Sequence, residues 1–144
     1  MEMTAKEYLN GIRRKRLHCQ MLEERRAELE TQAQGMKAIT YDKDRVQTSP
    51  RNSMEALVTQ MVALEEMYGK VLWEYHTANL KAERQIKSMS NAAYAEVLWK
   101  RYMEDDENGR QKSIARISCE MYKSYEWVRH VHGSALREFE KLYL

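Results

Sequence analysis

The sequence predicts an all-α protein in which a long antiparallel helical hairpin, resembling a coiled coil, precedes a C-terminal unit of three helices. Apolar residues recur in steps of three and four along most of the chain, which is helical spacing. One Pro and five Gly among 144 residues leave few points at which a helix must end. We expect the hairpin at residues 1–89, with a connector at residues 37–51, and the three-helix unit at residues 90–144.

The first helix is predicted to begin after Thr4, because Thr4 and Glu7 have the spacing of a capping box. A heptad seam of apolar residues follows, which is typical of long paired helices. Gly35 suits a C-terminal cap, so this helix should contain about 30 residues and span roughly 45 Å. The apolar seam residues are Ala5, Tyr8, Ile12, Cys19, Leu22, Leu29, Ala33 and Met36.

A second helix is predicted from about Ser53 to Ser88, with Asn52 and Glu55 as a cap pair. Two long helices with matched seams fold back most simply as an antiparallel hairpin. Alternatively, a seam is left for a second chain, giving a homodimer through the long helices, and the remaining apolar surface around Trp73 packs against the C-terminal unit or that second chain. The second seam consists of Met54, Leu57, Met61, Leu64, Tyr68, Val71, Tyr75, Ala78, Ala82, Gln85 and Met89.

Three short helices are predicted in the C-terminal unit. Ser90 or Asn91 caps the first, and the acidic and small residues at positions 105–109 end it. The next two are joined by a turn of about three residues, Met121–Lys123, which is helix-turn-helix spacing. Ser124 is the expected N-cap of the last helix, whose core residues should be Val128, Val131 and Ala135.

Basic residues cluster in this helix pair, although the formal net charge of the chain is only +2. Such a locally basic two-helix unit is the electrostatic footprint of a face that binds DNA. The alternative for the same pattern is a helical pair buried in a bundle. The basic residues are Arg110, Lys112, Arg116, Lys123, Arg129 and Arg137, against Glu120 and Glu126.

The C-terminal pattern resembles the helix-turn-helix of sigma-factor region 4. The pattern comprises Leu98, Arg101-Tyr102, the stretch Ile114–Met121, Ser124, Val128 and His132–Leu136. Together with the stretch Tyr41–Pro50, it resembles a family of small proteins encoded by phages and prophages of Gram-positive bacteria. That family is grouped with late-gene transcription regulators of the ArpU and RinA type. The most specific segments of the resemblance are Arg45–Pro50 and Val131–Leu136.

The resemblance implies a transcription regulator that binds double-stranded DNA through its last helix. Its helical hairpin would then serve for dimerisation or for contact with host RNA polymerase. The residues expected to face base edges are Tyr125, Glu126, Arg129 and His132, and those expected at the DNA backbone are Lys112, Arg116, Lys123 and Ser124.

Two other functions stay open. The turn lacks the Gly that commonly adopts a positive φ, and the loop Glu104–Gln111 is acidic. Both features favour a helical protein-interaction module that binds host RNA polymerase or another host protein. A small terminase-like DNA-packaging protein also joins a helix-turn-helix to an oligomerising helical part, and would form a ring-sized oligomer.

The sequence contains no motif that indicates an enzyme, a cofactor or a metal site. Gly-rich phosphate loops, GxSxG and HExxH are all absent from it. His130 and His132 diverge by about 200° on a helix, so they cannot share a metal. Cys19 and Cys119 are expected to be free thiols. No apolar run is long enough for a membrane span, so we expect a cytoplasmic location in the host cell.

Overall fold

The computed structural model describes residues 3–40 and 50–143, and its regular secondary structure there is helical. One isolated bridge joins Asp105 and Gln111. The predicted all-α class and the long N-terminal pair of helices are confirmed. The helices are α1 (Ala5–Thr40), α2 (Pro50–Lys87), α3 (Ala92–Leu98), α4 (Ile114–Met121) and α5 (Tyr125–Tyr143), and a π-helical segment (Trp99–Met103) follows α3 directly.

The first helix begins as predicted. The backbone N–H of Thr4 donates to Glu7 Oε2 at 3.1 Å, and the backbone N–H of Glu7 donates to Thr4 Oγ1 at 3.2 Å. This reciprocal pair satisfies two amides that a helix N-terminus otherwise leaves without partners.

Both long helices extend into the predicted connector. Helix α1 continues to Thr40 and contains 36 residues, so Gly35 lies inside it and the predicted cap at Gly35 was wrong. A single interior Gly costs only about 1 kcal/mol relative to Ala, and the residues that follow it favour a helix. The rest of the connector, residues 41–49, lies outside the described residues, together with most of the segment Arg45–Pro50.

Helix α2 begins earlier than the sequence indicated. Its first residue is Pro50, so Asn52 lies within the helix and is not its N-cap. Pro is favoured at the first position of a helix because the N–H that it lacks would have no intrahelical partner there.

The chain forms two compact units. One is Lys15–Tyr75, and the other combines the chain up to Arg14 with the chain from His76 onward. This division falls elsewhere than the boundary expected after residue 89. The start of α1 belongs with the C-terminal helices because the rings of Tyr8 and Phe139 lie 5.9 Å apart. The Tyr8 hydroxyl also donates to Gln85 at 2.9 Å.

In the Lys15–Tyr75 unit, α1 and α2 contact each other along the predicted seams. The hydroxyl of Tyr68 donates to Glu23 at 2.6 Å. Arg26 Nε lies 2.5 Å from Glu65 Oε1, and the Arg26 guanidinium lies over the Tyr68 ring. The buried apolar residues of this unit are Cys19, Leu22, Leu29 and Leu57.

The other unit has a core formed by α3, α4 and α5. Asn91 caps α3 by accepting hydrogen bonds from the backbone N–H groups of Ala93 and Tyr94. The core side chains are Val97, Ile117, Val128 and Val131, with Tyr94, Ile114, Met121 and Trp127 packed against them. These residues recur at helical spacing, so burial of one face of each helix fixes how the three helices pack.

The acidic loop between the π-helical segment and α4 is held by hydrogen bonds from its backbone to the side chain of Asp106. Asp106 Oδ1 accepts hydrogen bonds from the backbone N–H groups of Asn108 and Arg110, each at 2.9 Å. Gly109 adopts φ 74°, a value that Gly reaches without steric cost. This turn follows the end of the π-helical segment at Met103, close to the positions 105–109 at which the sequence predicted the helix to end.

Candidate nucleic-acid interface

Helix α4 and helix α5 are joined by a tight turn, and each helix has a serine at its N-cap. Ser113 Oγ accepts a hydrogen bond from the backbone N–H of Arg116 and so caps α4 at its start. Ser124 Oγ accepts one from the backbone N–H of Trp127 at 3.1 Å and caps α5, as predicted. Met121 is the last residue of α4, so the turn lies one residue later than expected, at residues 122–124.

Tyr122 provides the positive φ that the turn requires. Its backbone adopts φ 57° and ψ 39°, and its side chain is 94% exposed. The backbone N–H of Lys123 donates to the carbonyl of Ser118 at 3.0 Å, so the turn closes the end of α4 as a Schellman motif does. A residue with a Cβ atom pays about 1 to 2 kcal/mol for this left-handed conformation, a cost that Gly avoids.

The core side of α5 is as predicted. Val128 and Ala135 are fully buried, and Val131 is nearly so. Phe139 extends this buried face by one further turn. The opposite side of the first two turns of α5 is therefore free to meet a partner.

Three of the four residues expected at base edges lie on that exposed side. Tyr125 is half-exposed, and the side chains of Glu126 and Arg129 are 73% and 65% exposed. Arg129 Nη2 lies 2.8 Å from Glu126 Oε2, one turn earlier on the helix. An exposed ion pair of this kind contributes only about 0 to 1 kcal/mol, so both groups can exchange partners at little cost.

His132 is the fourth of these residues, and its side chain is only partly exposed because it is engaged by Tyr102. Its Nε2 is hydrogen-bonded to the hydroxyl of Tyr102 at 2.8 Å, and the two rings are stacked. Burial, with a smaller contribution from the positive charge of Arg101, lowers the pKa of His132 to about 4. His132 is therefore neutral at pH 7, and its partly buried ring is held against Tyr102.

The four residues expected at the DNA backbone differ in what they can reach. Lys123 is exposed, with its Nζ 5.3 Å from the centre of the Trp127 ring. Ser124 is exposed, but its Oγ already accepts the capping hydrogen bond. Arg116 is 45% exposed and pairs with Glu107 and Glu120, each at 2.9 Å. Of these, Lys123 can reach a phosphate without giving up an ion pair within the described residues.

Lys112 does not present its charge to solvent, which contradicts its expected role. Its side chain is 11% exposed, and its Nζ lies 2.8 Å from Glu120 Oε1 and 3.2 Å from Glu104 Oε1. The hydrogen bond to Glu120 raises the pKa of Lys112. Breaking such a pair would leave a buried charge without a partner, which costs several kcal/mol.

Glu120 is the centre of this ionic cluster. Its carboxylate forms ion pairs with Lys112 at 2.8 Å, Arg116 at 2.9 Å and Lys100 at 3.0 Å. The hydrogen bond from Lys112, supported by those from Lys100 and Arg116, lowers the pKa of Glu120 to about 2. The cluster joins the π-helical segment to α4 and holds the loop between them.

Sequence reasoning missed how far the acidic loop neutralises basic residues. Arg13 Nη2 lies 2.6 Å from Asp105 Oδ1, and Arg13 also donates to the carbonyl of Glu104. Glu107 pairs with Arg116. The run of carboxylates at residues 104–107 was visible in the sequence, but its partners come from other helices. The basic residues of this stretch that stay exposed are Arg110, Arg116, Lys123, Arg129 and Arg137, and Arg116 is paired with Glu107.

The described residues bring no set of three or more His, Cys, Asp or Glu side chains into an arrangement that could hold a metal ion. Among those same residues, no helix combines the length and the apolar character needed to cross a bilayer.

Comparison with known proteins yields no match, whether with family models, curated protein sequences or solved structures. The resemblance to phage late-gene regulators therefore stays a prediction.

Proposed function

We propose that this chain binds double-stranded DNA with α4 and α5 acting as a helix-turn-helix, in which α5 is the recognition helix. The observation that carries the proposal is the exposed side of the first two turns of α5. Tyr125, Glu126 and Arg129 project there from a helix whose other side is anchored by Val128 and Val131. A helix presented in this way fits the major groove.

Magnitudes favour exchange of the Glu126–Arg129 pair for base contacts. The exposed pair contributes at most about 1 kcal/mol. A bidentate contact of Arg with guanine, or of Glu with cytosine, supplies about 1 to 3 kcal/mol of discrimination. Opening the ion pair therefore costs less free energy than the base contacts that replace it supply.

Two features support a wider role in transcription. Glu23 on α1 contacts Tyr68 on α2, and Arg26, later on α1, contacts Glu65, earlier on α2. The two helices therefore run in opposite directions, which supports an antiparallel hairpin. Its surface includes Trp73, 69% exposed, which suits dimerisation or contact with host RNA polymerase. The resemblance of the C-terminal pattern extends the proposal to late-gene regulation in a phage or prophage.

The test separates base readout from backbone contact. Bound sites are first selected from random-sequence duplex DNA, and affinity is then measured for the selected and for unselected duplexes. Arg129→Ala should lower affinity for the selected site by about 1 to 3 kcal/mol and leave unselected DNA nearly unaffected. Lys123→Ala should weaken both and reduce the slope of log affinity against log salt by about one unit.

Lys141→Ala is the matched control. Lys141 is also an exposed basic residue of α5 that pairs with a Glu three residues away, but it lies about 18 Å further along the helix axis than Arg129. It should change neither affinity. Selection that yields no preferred sequence, with wild-type affinity equal for all duplexes, would contradict the proposal.

A protein-interaction module is the second candidate, and the neutralising acidic loop favours it. The loop and Glu120 already occupy Lys112, Arg116 and Arg13, so fewer cations remain for phosphates than the sequence indicated. The distinguishing measurement is binding of the purified chain to purified bacterial RNA polymerase without promoter DNA. Complex formation that Tyr125→Ala weakens, together with no selected DNA sequence, would establish the second candidate in place of the first.

A further inference from the structure

We infer that Tyr122 is a DNA-backbone contact: its ring packs on deoxyribose and its hydroxyl donates to a phosphate oxygen beside the groove that α5 enters. This inference rests on the proposed DNA-binding function and assigns to it a residue that the sequence did not single out as a contact. The turn geometry, the exposure and the local charge each contribute to it.

The backbone conformation of Tyr122 is one that other residues adopt at lower steric cost. Its φ of 57° lies in the left-handed region, where Gly has no steric cost and Asn is tolerated. The Schellman-type hydrogen bonds of the turn come from backbone groups, namely the N–H of Tyr122 to Cys119 and the N–H of Lys123 to Ser118. The turn itself therefore has no need of a tyrosine side chain.

The side chain of Tyr122 contributes nothing visible to the fold of its unit. It is 94% exposed, more than any of the other large apolar or aromatic side chains that lie exposed in the described residues. A strained backbone residue whose side chain does not pack is a cost to folding, and such residues concentrate at functional sites. An aromatic group held in solvent gains its energy when a partner covers it.

The positive charges near Tyr122 suit the binding of a polyanion such as DNA. The next residue, Lys123, carries an exposed ammonium group, and Arg129 lies about one turn into α5. The nearest acidic side chain on α4, Glu120, is occupied by Lys112, Lys100 and Arg116. A phenol beside an exposed ammonium can cover a sugar and donate a hydrogen bond to the adjacent phosphate, a common kind of backbone contact.

The test uses the opposite effects expected on stability and on binding. Tyr122→Gly removes the strain, so the melting temperature should rise by about 1 to 4 °C. The same substitution should weaken binding of the full chain by about three- to tenfold, the range of one neutral hydrogen bond. Because Tyr carries no charge, selected and unselected duplexes should lose affinity alike, and the salt slope should stay unchanged.

Three further variants make the result specific. Tyr122→Asn keeps a residue that tolerates positive φ and should also weaken binding, whereas Tyr122→Phe keeps the ring and should lose only part of the affinity. Lys123→Ala, the charged neighbour, should lower the salt slope, which the Tyr122 variants leave unchanged.

Each alternative result is decisive. If wild type prefers a selected sequence and Tyr122→Gly binds it equally well, the inference is overturned and the proposed function stands. If Tyr122→Gly lowers the melting temperature, the ring stabilises the fold and the inference is overturned on that ground. If wild type binds no duplex, both the inference and the proposed function fail.

Discussion

Replacement of Glu120 by Gln tests the ionic cluster that holds the acidic loop. The variant keeps the size of the side chain and one acceptor oxygen but removes the charge that Lys112, Lys100 and Arg116 share. A pKa lowered from 4.5 to about 2 corresponds to about 3 kcal/mol at about 1.4 kcal/mol per unit. The Glu120 side chain is 22% exposed, and solvent screening reduces the expected loss to about 1 to 2 kcal/mol.

The pH dependence fixes the sign of the effect. The carboxyl of Glu120 has a lower pKa in the folded state than in the unfolded state, so its stabilisation is complete above about pH 4.5 and disappears as the pH falls towards about 2. Urea unfolding at several pH values from 7 down to about 2 measures this directly. The free energy of unfolding of wild type should exceed that of Glu120→Gln at pH 7, and the two should converge at the acidic end.

Glu126→Gln is the control for this measurement. Glu126 also pairs with an Arg on the same helix, but both partners are mostly exposed, so the loss should stay below about 0.5 kcal/mol. Taking differences from wild type at each pH cancels the titration of the remaining carboxylates. If Glu120→Gln lowers the free energy of unfolding equally at pH 7 and at pH 2, the ionic origin of the stabilisation is refuted.

Three further outcomes are expected. Glu107→Gln should release Arg116 from its exposed pair, raise affinity for unselected duplex DNA and steepen the salt dependence, as a binding titration at two salt concentrations would show. Ile117→Ala empties the centre of the α3–α4–α5 core and should lower the free energy of unfolding by about 2 to 5 kcal/mol in urea. Cys119 should react with a maleimide much faster than Cys19, because Cys19 is buried and burial raises its pKa; equal rates in mass spectrometry would contradict the burial.

The parts of the fold that local signals determine were predictable. The capping box at Thr4, the caps at Asn91 and Ser124, and the turn before α5 all depend on residues within about four positions of one another. The position of the turn was correct to within one residue, because the apolar period stops in α4 and restarts in α5. Helix ends that depend on weaker preferences, such as Gly35 in α1, were misplaced.

The partly buried position of His132 could have been predicted from the sequence, although the residue was assigned to the base-facing set. His132 follows Val128 by four residues and precedes Ala135 by three, which places it on the buried face of α5. Its polarity and the resemblance pointed to a DNA contact. The deciding partner is Tyr102, thirty residues earlier on another helix, and no local pattern indicates that contact.

Charge pairing was the least predictable property, because it depends on contacts between elements. Lys112 and Arg116 lie in a locally basic stretch, yet each finds a carboxylate in the packed unit. A count of charges along the chain cannot distinguish an ammonium that faces solvent from one that is paired beneath a loop. The basic surface available to DNA is therefore smaller than the sequence indicated.

The smaller basic surface limits how this unit could act alone. In the proposed DNA complex, Arg129 and Glu126 together would supply about 2 to 6 kcal/mol of discrimination over few base pairs. Because Lys112 and Arg116 are held in ion pairs, the non-specific attraction of one unit to phosphates at physiological salt should be weaker than the sequence indicated. Specific regulators reach their affinity by adding contacts from a second half-site or a second protein. If DNA is the ligand, the second contact should come from the long helices, and their loss should reduce affinity without altering the sequence that α5 prefers.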